Sequence, residues 1–196
     1  MYKFKLNDPK FLPHTGADLE FNLPKGSCLI ITGNNGVGKS TLMRRFYETF
    51  NRESVLVDQS ALDLFYDRSL RKIKNIFLDA RGEEINRELF EELWKNFSLS
   101  LKEERLQSTL SGGEGQLLKL ILGLTIKSDI YLLDEPSHYL DKKMKEALHD
   151  VLASLLNKGK SLILIEHDLS WITFHYEGIK LEDKDEKVKV VKQWNT

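Results

Sequence analysis

The sequence predicts an α/β domain, a mostly parallel sheet covered by helices, with a helical lobe standing off it. Three observations carry this. Short continuous apolar runs, CLIIT (28–32), SVLVD (54–58), IYLLD (130–134) and SLILI (161–165), read as strands buried on both faces. Segments with apolar residues at helical spacing separate them, as a parallel sheet requires. Between 61 and 106 no strong strand signal occurs, so that stretch reads as a helical insertion.

In chain order, YKFKL (2–6) alternates like a strand, and LEFNL (19–23) is its candidate neighbour, forming a small antiparallel arm. CLIIT is followed by a glycine-rich loop and a helix running to about Phe50. SVLVD is the next buried strand. Ile85, Leu89, Phe90, Leu93, Trp94 and Phe97 share one face of an amphipathic helix. A further helix follows LSGGE (110–114), and IYLLD is the third buried strand. Met144, Ala147, Leu148, Val151, Leu152, Leu155 and Leu156 line another helix before SLILI. IKLEDKDEKVKVV reads as a C-terminal hairpin at about 178–192, closed by a charged turn. The expected organisation is one domain over 1–196, with a helical lobe at about 61–125.

Composition narrows the function. At 196 residues the chain is long enough to bury a core, and 41% hydrophobic with 30% charged residues fits a globular protein. A net charge of −1 argues against a nucleic-acid binder relying on bulk positive charge, so no nucleic-acid partner is expected. No apolar run approaches the roughly 20 residues that span a bilayer. The start, MYKFKLNDPK, lacks the apolar core of a signal peptide. The single cysteine, Cys28, cannot form an internal disulfide and lies in a strand-like run, which fits burial and a reducing compartment. A cytoplasmic location is the expectation.

The chemistry-bearing motifs fall at the ends of the predicted strands. Gly33, Asn34, Asn35, Gly36, Val37, Gly38, Lys39, Ser40 and Thr41 form GNNGVGKST, which fits G-x-x-x-x-G-K-S between a strand and a helix. Its glycines let backbone N–H groups turn inward around phosphate oxygens, Lys39 adds a cation, and the Ser40 hydroxyl suits magnesium. A guanine reader N-K-x-D is absent, the nearest string being NKGK at Asn157, which favours ATP. Asp134 and Glu135 end a buried strand, where open α/β sheets bind ligands. Asp134 suits Mg2+, and Glu135, directed the other way by strand alternation, suits a water facing the γ-phosphate; solvated strand-end carboxylates are the plain alternative. His167 follows SLILI at the same edge and suits orienting that water. The remaining histidines, His14, His138, His149 and His175, show no metal-ligand spacing. Gln59 closes SVLVDQ, where an amide could ligate magnesium or water. LSGGE places Ser111, Gly112, Gly113 and Glu114 at a helix N-terminus suited to an anion, a second phosphate cradle in a chain that already has one.

Over residues 3–175 the order of these motifs resembles an ABC ATPase, the nucleotide-binding domain family of ABC transporters, and LSGGE is the specific element. The resemblance implies that GNNGVGKS is Walker A, Gln59 the Q-loop glutamine, LSGGE the signature, and IYLLDEP Walker B with Glu135 as catalytic glutamate. It further implies that SHYLD is the D-loop with Asp141 coupling two sites, and that His167 is the switch histidine. Two such domains would pack head to tail, each signature facing the ATP held by the other's Walker A, with Mg2+ bound by Ser40, Gln59 and Asp134. The implied partners are a second ATPase subunit, identical or not, and a membrane permease docked near Leu62, Phe65 and Tyr66. The chain departs from the family in a short interval between Lys39 and Gln59, and in having no arginine after Arg105. The adenine-stacking aromatic is best matched by Phe11, with Tyr2 and Phe4 as rivals and a core role equally open. The alternatives are a soluble non-transport ABC protein acting on ribosomes or DNA, and a small P-loop nucleotide kinase. The kinase class needs arginines over the transferred phosphoryl group, which the arginine-free C-terminal half does not supply.

Overall fold

The central strands are apolar on both faces because both faces are covered. In the computed structural model, which describes residues 1–6, 19–58, 60–97, 103–184 and 187–194, successive residues of each strand enter opposite cores. In β3 (Cys28–Gly33), Leu29 and Ile31 join one core while Cys28 and Ile30 join the other. β5 (Ile130–Asp134) divides Ile130 and Leu132 from Tyr131 and Leu133 in the same way. In β6 (Ser161–Ile165), Ile163 and Ile165 separate from Leu162 and Leu164. Period-two geometry therefore turns one continuous apolar run into two layers of core.

The first layer lies under α1 (Lys39–Phe50), whose Leu42, Met43, Phe46 and Phe50 are buried. It also takes in the two-stranded antiparallel sheet of β1 (Tyr2–Leu6) and β2 (Leu19–Leu23), paired from Tyr2↔Leu23 to Leu6↔Leu19. Phe4 and Phe21 of that sheet pack on Phe46, with centroids 4.1 and 5.6 Å away. The second layer holds α4 (Gly112–Leu124) and α5 (Lys142–Asn157), together with α2 (Leu70–Arg81) and α3 (Arg87–Phe97).

With β4 (Ser54–Val57), β7 (Glu177–Lys184) and β8 (Lys187–Trp194), the main sheet runs in the order β4-β5-β6-β3-β7-β8. Five strands are parallel and β8 returns antiparallel along β7. β3, β5 and β6 are adjacent, so their carboxyl ends deliver Gly33, Asp134 and Ile165 to one edge.

Two points differ from the sequence reading. α2 was not anticipated; Ser69 starts it by accepting from Lys72 N–H. Ile85 does not belong to α3 but precedes it, in an isolated bridge with Ile126 that ties the lobe to the end of α4. Phe97 closes α3, and its side chain lies outside the described residues.

α4 is buried almost all round, with Gln116, Leu117, Leu118 and Leu120 to Leu124 enclosed. It reaches the sheet at Gly123, where an added Cβ would overlap Val57 Cγ2. Gly123→Ala should therefore destabilise the fold by about 1–3 kcal/mol through overpacking, read as a lower denaturation midpoint. An unchanged midpoint would mean the helix–sheet spacing is not set there.

Candidate functional site

Past Gly33 the chain turns through Gly36 and Gly38, with φ of +80° and +102°. Gly38 caps α1 from a left-handed conformation that side chains other than glycine resist, and Leu42 N–H returns to its carbonyl at 2.9 Å. Gly33 is tighter still, since an added Cβ would overlap the Leu181 carbonyl of β7. Val37 plugs the loop into the first core layer, while Asn34 and Asn35 stay exposed. Ser40 and Thr41 begin α1 as exposed residues.

Lys39 is 6% exposed, and its Nζ donates to the Gly33 and Asn34 carbonyls at 2.9 and 3.0 Å. Burial lowers its ammonium pKa, with the Glu135 and Asp134 carboxylates pulling the other way. The loop thus holds its cation over the cradle by two backbone hydrogen bonds.

Asp134 ends β5 near Ser40, whose hydroxyl counts among the groups that lower its carboxyl pKa. Burial raises the Asp134 carboxyl above its ordinary range, and the neighbouring Glu135 and Asp58 carboxylates add to the rise. A hydroxyl near a carboxylate among further carboxylates forms a hard-oxygen set, so these residues fit Mg2+.

Glu135 departs from the extended geometry expected of it. Its φ is +50°, so a left-handed turn, not strand alternation, aims its carboxylate. Glu135 N–H donates to Ile165 O at 3.0 Å. The carboxylate lies between two imidazoles, His167 Nε2 at 3.3 Å from Oε1 and His138 Nδ1 at 3.6 Å from Oε2. His167 thus reaches Glu135 at the sheet edge where β6 ends. His138 shows no metal-ligand spacing, and the signal for it in the sequence is the three-residue step from Glu135, one tight turn.

Two further groups were not read from sequence. Glu166 is 3% exposed; its Oε1 accepts from Ser137 N–H at 2.9 Å and its Oε2 from His167 N–H at 3.2 Å. Burial raises its carboxyl pKa, opposed by those N–H donors and the Ser137 hydroxyl. Gln116 of α4 donates from Nε2 to the Glu135 and Pro136 carbonyls at 3.1 and 3.0 Å.

At the other cradle Ser111 is the N-cap of α4 in a reciprocal capping box with Glu114. Glu114 Oε2 accepts from Ser111 N–H at 2.8 Å, and Oε1 pairs with Arg105. Arg105 also donates to Thr109 O at 2.7 Å, so an arginine before the motif braces the helix start. Ser111 and Gly112 are exposed. Gly112 lies beside the Tyr139 ring and Gly113 beside its carbonyl, and that ring stacks on His138 with centroids 3.8 Å apart. Asp141 is exposed and its carboxylate caps α5, accepting from Met144 N–H at 2.8 Å.

Phe11 and Gln59 lie outside the described residues. Of the rivals to Phe11, Phe4 is 3% exposed inside the first core layer. Tyr2 meets Phe50 and Lys25 and is influenced by Asp129, at the end of the sheet opposite the glycine loop.

A buried parallel sheet with a glycine loop, a lysine folded over it and a carboxylate at the end of a nearby strand defines a P-loop nucleotide-binding domain. The family model described as ABC transporter matches residues 17–138, and the chain belongs to that family, the ABC-type ATPases, whose shared property is ATP binding. It is 28% identical over 172 residues to a protein of Clostridium tetani described as an ABC transporter ATP-binding protein. That match covers 77% of this chain, which spans only 39% of the relative's length. An ATP-binding subunit of an ABC transporter superposes with a TM-score of 0.72 at 19% identity, covering 90% of this chain and 82% of that one. An archaeal ribosome recycling factor superposes with a TM-score of 0.68 at 20% identity, covering 87% of this chain and 39% of that one. These likenesses establish the fold. Among the described residues no helix is long and apolar enough to cross a membrane.

Burial alone would raise the Glu114 carboxyl, but the Ser111 amide and Arg105 hold it below the usual range. Its contribution to stability is present above the unfolded carboxyl pKa and fades as pH falls through the lower folded one. Glu114→Ala should cost about 1 kcal/mol at neutral pH by loss of the cap, and the deficit should shrink in acid. Chemical denaturation at two pH values measures it, and a pH-independent deficit would contradict the assignment.

Proposed function

We propose that this chain is a single ATPase domain and one half of a dimer that encloses two ATP molecules, and that it powers transport through a separate membrane permease. One observation supports the two-site reading above others: Ser111 and Gly112 stand exposed at the positive end of α4, while the same chain carries its phosphate loop at a different place, between β3 and α1. A helix tip built for an anion and turned outward suits an anion brought by another subunit. Gly113 is the third member of that tip, and Glu114 shapes it by capping. Asp141, exposed at the start of α5, belongs to the face that would meet the partner.

In this reading the loop amides of residues 34–39 and the Lys39 ammonium hold the β- and γ-phosphates. Ser40 and Asp134 would hold Mg2+, which supplies charge neutralisation on the phosphates. Gln59 is proposed as a third oxygen ligand and Phe11 as the adenine-stacking ring. Glu135 polarises the attacking water, and His167, 3.3 Å from its carboxylate, orients Glu135 and the water together.

The transport role rests on the resemblance to transporter ATP-binding proteins and on surface at the start of the lobe. Leu64 is 90% exposed and Tyr66 68%, whereas Leu62 is buried, so the permease-facing surface is assigned to Leu64 and Tyr66. Such exposed apolar side chains suit a partner at the cytoplasmic face of a membrane.

Glu135→Gln should reduce ATP turnover by at least about a hundredfold while stabilising an ATP-bound dimer in analytical ultracentrifugation. A variant that stays monomeric in saturating ATP would remove the two-site reading. Lys39→Ala should weaken ATP binding by about tenfold or more in calorimetry, because the cradle loses its cation. Unchanged affinity would place the nucleotide elsewhere. The product separates a hydrolase from a nucleotide kinase: inorganic phosphate released from ATP alone supports the first.

A further inference from the structure

The turn that presents Glu135 is anchored to the helix that carries the second cradle. Gln116 is 4% exposed in the second turn of α4, and both N–H bonds of its amide are committed, to Glu135 O at 3.1 Å and Pro136 O at 3.0 Å. The Glu135 carbonyl also accepts from His138 N–H at 3.1 Å. From the sheet side Ile165 O accepts from Glu135 N–H, and Glu166 accepts from Ser137 N–H. The three residues Glu135 to Ser137 are therefore gripped from two directions, by β6 and by α4. Tyr139, four residues past Glu135, lies against the tip of the same helix, its ring beside Gly112 and its carbonyl beside Gly113.

β6 lies within the rigid sheet, whereas α4 ends at Ser111 on exposed surface. A movement of α4 along its axis carries Gln116 with it. Hydrogen bonds of 3.0–3.1 Å weaken within about half an ångström of stretch, so a small displacement alters the grip on Glu135.

We propose that Gln116 is a positioning residue that links Glu135 to the helix bearing Ser111 and Gly112, so that an anion seated on this chain's α4 tip is registered at this chain's own Glu135. The inference rests on the two-site reading above. Under it, ATP held by the partner and capped by this chain's Ser111 would set the carboxylate that polarises the water attacking the ATP held at this chain's Lys39. Each nucleotide then licenses hydrolysis of the other through Gln116, and a subunit with only its own loop filled keeps Glu135 poorly aimed.

Gln116→Met keeps the length and removes both donors; Gln116→Glu keeps the shape and faces two carbonyls with an acceptor. Both should be made in the native chain and in the Glu135→Gln background. With ATP and magnesium, steady-state turnover should fall by about ten- to a hundredfold with KM within about threefold, the pattern of a misplaced catalytic group rather than lost binding. Sedimentation of the double variants should show ATP-driven association like that of Glu135→Gln alone. Unchanged turnover in both single variants overturns the proposal. So does turnover that falls in step with association, or in step with the folded fraction read from melting curves, since either assigns Gln116 a merely structural role. If Glu135→Gln with Gln116 intact fails to associate, the two-site reading itself falls and takes the coupling with it.

Discussion

Everything at the candidate site depends on how the chain leaves β5. An apolar strand buried on both faces must end in polar groups, and its last carboxylate, Asp134, stays half-buried beside Ser40. The next residue adopts φ +50°, which costs on the order of 1 kcal/mol for a side chain that is not glycine. The turn persists because the surroundings over-determine it: Ile165 O, Gln116 Nε2 and the Glu166 carboxylate all bind its backbone. Glu135 is aimed by this turn, so the direction of its carboxylate is a property of the packing around it.

The electrostatics follow from the same crowding. Asp134, Glu135 and Asp58 gather at one sheet edge, and Lys39 is drawn in from the loop after β3, which β6 separates from β5. Burial alone opposes the charge of both Lys39 and Asp134, and each is held by opposite charge or by donated hydrogen bonds. Such a site suits a ligand that brings both anion and divalent cation, because phosphate would satisfy the lysine and loop amides while the cation would satisfy the carboxylates. Glu166 is a different case: a buried carboxylate whose oxygens are committed to backbone N–H groups, bracing the loops that carry Ser137 and His167.

Much of this was legible from the residues. Buried strands, the glycine loop and the helix after LSGGE follow from local pattern, because period two, period 3.6 and glycine's backbone freedom act within a few residues. His167 was legible because it directly follows a buried run whose end must lie at the ligand edge. His138, Glu166 and Gln116 were not, since each acts through a partner distant in sequence or through a turn that breaks strand alternation. Gln116 meets Glu135 from 19 residues away, and Glu166 meets Ser137 from 29. Arg105 belongs with them: no arginine follows LSGGE in the sequence, while the fold brings one from before it.

By itself, then, the sequence determined which segments become strands, where they end, and which chemical groups stand at those ends. Local sterics and apolar periodicity suffice for that. Only the tertiary structure decided that β3, β5 and β6 lie side by side, that Glu135 points through a left-handed turn, and that α4 holds that turn while exposing its own tip. Those outcomes depend on satisfying buried polar groups between segments far apart in the chain. No local pattern encodes which donor will meet which carbonyl.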